Sequence, residues 1–214
     1  MSTEPKEQNK KKGDTIKILT LGNGAVGKTS FIMKFTENYF HENYIMTVGF
    51  EFQTKKVKVN EKMYTVCFYD TAGQERYKSL SVSLYKKAEG IILMYDVTKR
   101  KTFEDIPEWM DNIKVNKGLE YPIILIGNKC DLEERREVQT EEGEKLSKKY
   151  NLSFYETSNK EGKNVEEVGM ELIKRIIDRK ENQKDINENH DVIELKKENH
   201  SKKNILRKLF PCCF

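Results

Sequence analysis

The stretch "GNGAVGKTS", residues 22–30, carries two arrangements of glycine that could do chemistry with phosphate. Gly22, Gly24 and Gly27 spell G-x-G-x-x-G, the loop of dinucleotide sites, while Gly22, Gly27, Lys28 and Thr29 spell G-x-x-x-x-G-K-[ST], the loop of nucleoside triphosphate sites. Both need glycine where backbone N–H groups approach phosphates at a turn from a strand into a helix N-terminus. The glycines alone leave the choice open. A dinucleotide site needs an acidic residue about 20 positions further on, at the end of the next strand; Glu42 and Glu51, in a polar loop and inside a hairpin pattern, are poorly placed for it. A triphosphate site needs a lysine for the β- and γ-phosphates, a hydroxyl for Mg²⁺ and a carboxylate at the end of a later strand. Lys28, Thr29 and the Asp70 of "MYTVCFYDTAGQE" are the matching residues. Base choice comes from "NKCD", residues 128–131: a carboxylate offers only acceptors, so Asp131 can pair with the N1–H and N2–H of guanine, a donor pair that adenine lacks. This favours GTP over ATP.

The elements that must position these residues alternate. "TIKILTLG" reads as a strand ending at the glycine loop, and "TSFIMKFTENYF" as a helix with Phe31, Ile32 and Phe35 on one face. "VGFEFQTKKVKV" and "MYTVCFYD" alternate apolar with polar around "NEK" and predict an antiparallel hairpin. "GIILMYDV" and "YPIILIGN" are continuous apolar runs, the pattern of strands buried on both faces of a parallel sheet. "TFEDIPEWMDNIKVN" predicts one helix with Thr102 and Asp105 placed to cap it, although Pro107 disturbs its first turn, and "TEEGEKLSKKY" predicts another. A last helix opens on Asn164 and Glu167 as a capping box and carries Val165, Val168, Leu172, Ile173, Ile176 and Ile177 as its apolar stripe. The expected fold is α/β, a doubly wound and mostly parallel six-stranded sheet with one antiparallel strand. Ligands of such sheets bind beyond the carboxyl ends of the strands, where the motifs above fall.

The 214 residues allow one sizeable core, and the expected division is a polar leader over 1–14, a nucleotide-binding domain over 15–178 and a flexible tail over 179–214. The chain is 36% hydrophobic and 35% charged, and its excess polarity concentrates in the leader and the Lys-, Asn- and Glu-rich tail, where disorder is expected. "MSTEPKEQNKKK" has no apolar core of a signal peptide, and the longest apolar runs are far shorter than a membrane span, so a cytosolic chain is expected. Cys67 and Cys130 read as small apolar residues rather than a disulfide or zinc framework. The net charge of +4 points to no nucleic-acid partner, because the basic residues gather in the tail.

"GNGAVGKTS", Thr47, "DTAGQE", "NKCD" and "ETSNK" fall in the order and approximate spacing of the Ras superfamily of small GTPases, which residues 15 to about 178 resemble. "TVGFEF", "DTAGQERYKSL", "GIILMYDVT" and the terminal cysteine pair look most like its Rab branch, which controls vesicle traffic. The resemblance implies the P-loop GTPase fold and a set of roles. Gly22, Asn23, Gly24, Ala25, Val26, Gly27, Lys28, Thr29 and Ser30 would cradle the phosphates, and Thr29 and Thr47 would ligate Mg²⁺, with Asp70 holding it through water. Phe40 would stack on the edge of the base, with Tyr44 also near the nucleotide, and Lys129 and Lys160 would line the faces of the base. Asn128 would brace the loops, Ser158 would support Asp131, and the backbone N–H of Asn159 would meet the guanine oxygen. Gln74 would orient the attacking water and the Gly73 N–H would sense the γ-phosphate. Without an internal transition-state arginine hydrolysis would be slow, and a partner raises it by ~10⁵-fold in the best-known case. The implied partners are an exchange factor, a GTPase-activating protein, a GDP-dissociation inhibitor or escort protein and effectors, with the chain itself a monomer. Two departures stand out: Asn159 replaces the usual alanine, and Gly24 lies where many Rabs carry serine. The effector triad maps to Phe52, Tyr69 and Leu84, which read equally well as packing residues.

The chain ends in "KKNILRKLFPCCF". A C-a-a-X box would need cysteine where Pro211 stands, whereas paired cysteines resemble Rab termini and imply geranylgeranylation of Cys212 and Cys213. Two lipid chains anchor stably where one is marginal, and nearby cations add about 1 kcal/mol each at an anionic leaflet. The cytoplasmic face of intracellular or plasma membranes, in exchange with cytosol, is the expected location. Two rival functions are a module that holds GTP without hydrolysing it and a P-loop kinase for a small molecule. Gln74 with the small Gly24 argues against the first, and "NKCD" with "DTAGQE" against the second.

Overall fold

Continuous apolar runs make the centre of the sheet. In the computed structural model, which describes residues 14–40, 50–71 and 78–183, strands β4 (Gly90–Asp96) and β5 (Ile123–Asn128) are buried at every position, as two-sided burial demands. β1 (Thr15–Leu21) pairs with β4 on one side and with β3 (Lys62–Thr71) on the other, and β6 (Ser153–Thr157) pairs with β5, all parallel. β2 (Phe50–Val59) is antiparallel to β3, giving the order β2-β3-β1-β4-β5-β6. The predicted hairpin closes through Asn60 and Glu61, whose φ of 46° and 62° match the turn that suits strand twist, here without a glycine.

Helices cover both faces. α1 (Lys28–Glu37) buries Phe31, Ile32 and Phe35, and Phe35 meets Phe68 of β3 edge to face at 5.3 Å. A last helix, α6, begins at residue 165 and buries Val165, Val168, Leu172, Ile173 and Ile176. Its Gly169 lies so close to Phe35 that a Cβ would come within 2.2 Å of the ring. On the opposite face Leu19, Leu93, Tyr95 and Leu125 pack with Leu84 and Tyr85 of α2 (Lys78–Lys87) and Ile106, Met110 and Ile113 of α4 (Ile106–Asn116). α5 (Thr140–Tyr150) adds Gly143 against Tyr95 and Phe154.

Three local expectations change. The helix expected over "TFEDIPEWMDNIKVN" is two pieces, α3 (Arg100–Glu104) and α4, because Pro107 at the start of α4 begins a new helix at the Asp105 joint. Thr102 and Asp105 do not cap it: the Thr102 hydroxyl donates to Lys99 O and accepts from Asp96 N–H. Asn164 has φ of 60° rather than the extended backbone of an N-cap, and its amide donates to Glu156 O at 2.7 Å. The chain divides into two units, Met1–Ile176 and Ile177–Phe214. In the second, residues 177–183 are helical, in keeping with the helix propensity of Arg, Lys and Glu.

Gly143 sets a test of packing against propensity. Alanine for glycine inside a helix is ordinarily worth about 1 kcal/mol. Here the new Cβ would lie 2.4 Å from the Phe154 ring and 2.6 Å from the Tyr95 hydroxyl, a hydroxyl with no hydrogen-bond partner among the described residues. Gly143→Ala is therefore expected to destabilise by about 1–3 kcal/mol. Tyr95→Phe is expected to be neutral or to stabilise by about 1 kcal/mol, since it removes an unsatisfied buried group. Urea denaturation of the two variants checks both signs.

Candidate active site

The turn out of β1 is forced by its neighbours. A Cβ on Gly22 would come within 2.1 Å of Met94 O, so only glycine lets the loop leave the strand against the backbone of β4, and its φ of 135° asks for the same residue. Gly27, with φ of 105°, ends the loop as the residue before α1, and a Cβ there would meet Asn128 Nδ2 at 2.3 Å. Between them three successive carbonyls receive side-chain donors from two other loops. Lys129 Nζ donates to Ala25 O at 2.9 Å, Asn128 Nδ2 to Val26 O at 2.8 Å and Asn159 Nδ2 to Gly27 O at 2.9 Å. In a trans peptide the C=O and the following N–H point in opposite directions. Holding these carbonyls turns the N–H groups of Val26, Gly27 and Lys28 to the other side, where with the α1 N-terminus they make an anion-binding concavity.

Lys28 spans the other half of the loop, donating to Gly22 O and Asn23 O at 2.9 Å each. Burial pushes its ammonium down from the ordinary value to about 8, with the Asp70 carboxylate pulling the other way, so at pH 7 it still carries charge. Thr29 Oγ1 donates to Asp70 Oδ2 at 2.6 Å. The end of β3 and the start of α1 thus bring a hydroxyl and a carboxylate together, hard oxygen donors of the kind that Mg²⁺ takes alongside phosphate oxygens and water.

Two loops expected to read the base follow β5 and β6. Asn128 is buried and fixed at both ends, since its Oδ1 accepts from Thr157 Oγ1 at 3.0 Å while its Nδ2 holds Val26 O. Lys129, with φ of 68°, also pairs with the fully buried Asp96 at 2.6 Å. The Asp96 carboxylate accepts from Thr98 N–H and Oγ1 as well, and the register Asp96↔Asn128 sets these residues side by side at the sheet edge. Asp96 was not legible as a site residue, although "DVT" at a strand end spells an Asx turn. Asp131 is half-buried just beyond. The Ser158 hydroxyl accepts from Glu161 N–H at 3.1 Å, a bond within its own loop rather than one to Asp131. Lys160 is exposed, and Asn159 is buried.

The remaining candidates scatter. Val26 is a core residue whose carbonyl, not its side chain, serves the site. Gly24 is exposed, Ser30 sits in the first turn of α1, and Phe40 is half-buried after that helix. Phe52 is 66% exposed on β2 and Tyr69 is half-buried, but Leu84 is 5% exposed inside the core, where a residue meant for a partner cannot be reached. Tyr44, Thr47, Gly73, Gln74, Cys212 and Cys213 lie outside the described residues.

A lysine-bearing phosphate loop, a hydroxyl–carboxylate pair and an Asn-Lys-x-Asp loop at one sheet edge match what comparison with known proteins finds, because the model of the Ras family matches residues 17–178. The chain belongs to the Ras family. It is 42% identical over 161 residues to the Ras-related protein Rab-13 of Rattus norvegicus, covering 75% of this chain and 79% of that one. It is 39% identical over 163 residues to Rab-3C of Bos taurus, 76% and 72%, and 37% identical over 161 residues to Rab-8B of Pongo abelii, 75% and 78%. This Ras-family chain is a small GTPase of the Rab branch, a class that works in membrane traffic, and no helix among its described residues is long and apolar enough to cross a membrane.

Asn159→Ala removes one of the three donors that hold the phosphate loop. Hydrogen exchange at the amides of residues 26–28 is expected to quicken by about tenfold, with the amides of β5 unchanged. Mass spectrometry of the native chain and the variant in the same buffer checks this; unaltered exchange across the loop would contradict it.

Proposed function

We propose that this small GTPase is a GTP/GDP switch whose hydrolysis is slow and whose output is partner binding. The observation that carries the reading is the direct hydrogen bonding of the base loops to the phosphate loop, which makes one site out of base recognition and phosphate recognition. Asp131 accepts from the guanine edge, and Lys28 and the loop N–H groups hold the β- and γ-phosphates. Thr29 and Asp70 fit a Mg²⁺ ion, and with Thr47 they would hold it; bound there, the metal neutralises charge on the phosphates. Gln74 orients the water that attacks the γ-phosphate, and the Gly73 N–H together with Thr47 registers whether that phosphate is present. Loss of the phosphate then loosens both segments and releases the partner.

The same reading gives the protein an exchange factor, an activating protein, an escort or GDP-dissociation inhibitor, and effectors that meet Phe52 and Tyr69. Geranylgeranyl groups on Cys212 and Cys213 would fasten it to the cytoplasmic face of membranes, helped by the cations of "KKNILRK".

Titration with fluorescent nucleotides tests the recognition step. Guanine nucleotides are expected to bind at least about 10⁴-fold more tightly than ATP, the discrimination of a site built on buried polar groups. Asp131→Asn is expected to shift preference toward xanthine nucleotides. Gln74→Leu is expected to slow single-turnover hydrolysis without weakening GTP binding. Equal binding of ATP, or full hydrolysis by the Gln74 variant, would contradict the assignment.

A further inference from the structure

The phosphate loop is held from a second side by residues outside every motif above. Trp109 Nε1 donates to Asn23 Oδ1 at 2.8 Å, and Asn23 Nδ2 donates to Asp105 Oδ2 at 2.7 Å, so one amide is fixed at both ends. Both partners come from one helical turn at the α3–α4 joint, where Trp109 N–H donates to Asp105 O. The joint is itself anchored. Trp109 packs against the core cluster, and Asp105 Oδ1 pairs with Lys101 at 2.6 Å. Burial alone would raise the Asp105 carboxyl, but hydrogen bonds from Lys101 and Asn23 outweigh it and keep it below its ordinary value, an ionised acceptor. On the other side of the same residue, Asn23 O receives the Lys28 ammonium.

We propose that Asn23, Asp105 and Trp109 form a positioning network for the phosphate loop, fixing the Asn23 carbonyl that receives Lys28 and thereby governing nucleotide release and hydrolysis. This rests on the GTPase reading of the site. The chain of contacts runs from the Trp109 indole through the Asn23 side chain to the Asn23 backbone and on to the lysine. A loop residue otherwise free to turn is held in one conformation, which lowers the entropy that ligand binding would have to remove.

Asn and Asp have nearly the same shape, which permits an exchange of roles. Asn23→Asp alone sets two carboxylates against each other in a half-buried site. Asn23→Asp combined with Asp105→Asn restores a donor–acceptor pair with the amide now at 105, leaves Trp109 an acceptor at 23 and keeps the net charge of the native pair. The readouts are dissociation of fluorescent GDP and single-turnover GTP hydrolysis, with the thermal midpoint recorded alongside.

Asn23→Asp is expected to speed GDP release and to slow hydrolysis by about tenfold each, the size of one charge-assisted hydrogen bond lost. The exchanged double variant is expected to return to within about twofold of the native rates, as an intact pair should. Trp109→Phe keeps the packing, loses the donor and is expected to speed release by about threefold or more, the lower range for a neutral hydrogen bond; it serves if Asn23→Asp fails to fold. A double variant as impaired as Asn23→Asp would overturn the proposal, since the added charge near the phosphates would then be the cause. Native rates in both Asn23→Asp and Trp109→Phe would overturn it too. Failure of the native chain to hold fluorescent GDP would instead overturn the reading of the site on which the proposal rests.

Discussion

Three hydrogen bonds to consecutive carbonyls set the terms for the rest of the molecule. The peptide groups of Ala25, Val26 and Gly27 are fixed by Lys129, Asn128 and Asn159, and because each carbonyl is tied back, the N–H that follows it must face the opposite way. The conformation of the loop proposed to bind phosphate is thus set by residues at and just beyond the ends of β5 and β6. A loop whose conformation depended on its own glycines would have many alternatives; here the donors remove them. If the loop after β5 reads the base, as proposed, coupling between base and phosphate needs no relay, since Asn128 at the end of β5 touches the glycine loop directly.

The sheet exists, in this view, to bring those donors into range. β1, β4, β5 and β6 are parallel neighbours, and their carboxyl ends deliver Gly22, Asp96, Asn128 and Ser158 to one edge. Register does the fine placement: Asp96 beside Asn128, and Asn128 beside Thr157, give Asn128 its second anchor and Lys129 its carboxylate. Burial raises the stakes, since Asn128, Asp96 and Thr157 are nearly or wholly inaccessible and each must find its partners in the protein. Where the backbone of β4 crowds the loop, glycine at 22 is the steric consequence.

Much of this was legible in the chain. Two uninterrupted apolar runs predicted the central strands and alternation predicted the hairpin, because burial leaves a compositional mark, and the glycine loop with Lys28 and Thr29 pointed to the candidate site, where Lys28 and Thr29 meet Gly22, Asn23 and Asp70. What escaped depends on tertiary partners. Asp96 looks like any acid at a strand end until Lys129 is seen to reach it, and the side chain of Asn23 has no task in the motif until Trp109 and Asp105 converge on it from more than 80 residues away. The break at Asp105 was signalled only by Pro107 within a good helical pattern, and the choice between surface and packing for Leu84 stayed open because motif position says nothing of burial. Asn159 illustrates the converse: its identity departs from the family pattern, and only the structure gives its side chain a task, the Gly27 carbonyl.

The most direct test asks whether a base-loop donor contributes to phosphate binding. Affinities of GDP and GMP are measured for the native chain and for Asn128→Ala, and the GDP-to-GMP ratio isolates the β-phosphate. If Asn128 orients the loop, the variant loses more affinity for GDP than for GMP and the ratio falls by about tenfold or more, the worth of a buried hydrogen bond left unmade. If both nucleotides weaken equally, Asn128 serves the base alone, and the claim that the base loops shape the phosphate site is wrong.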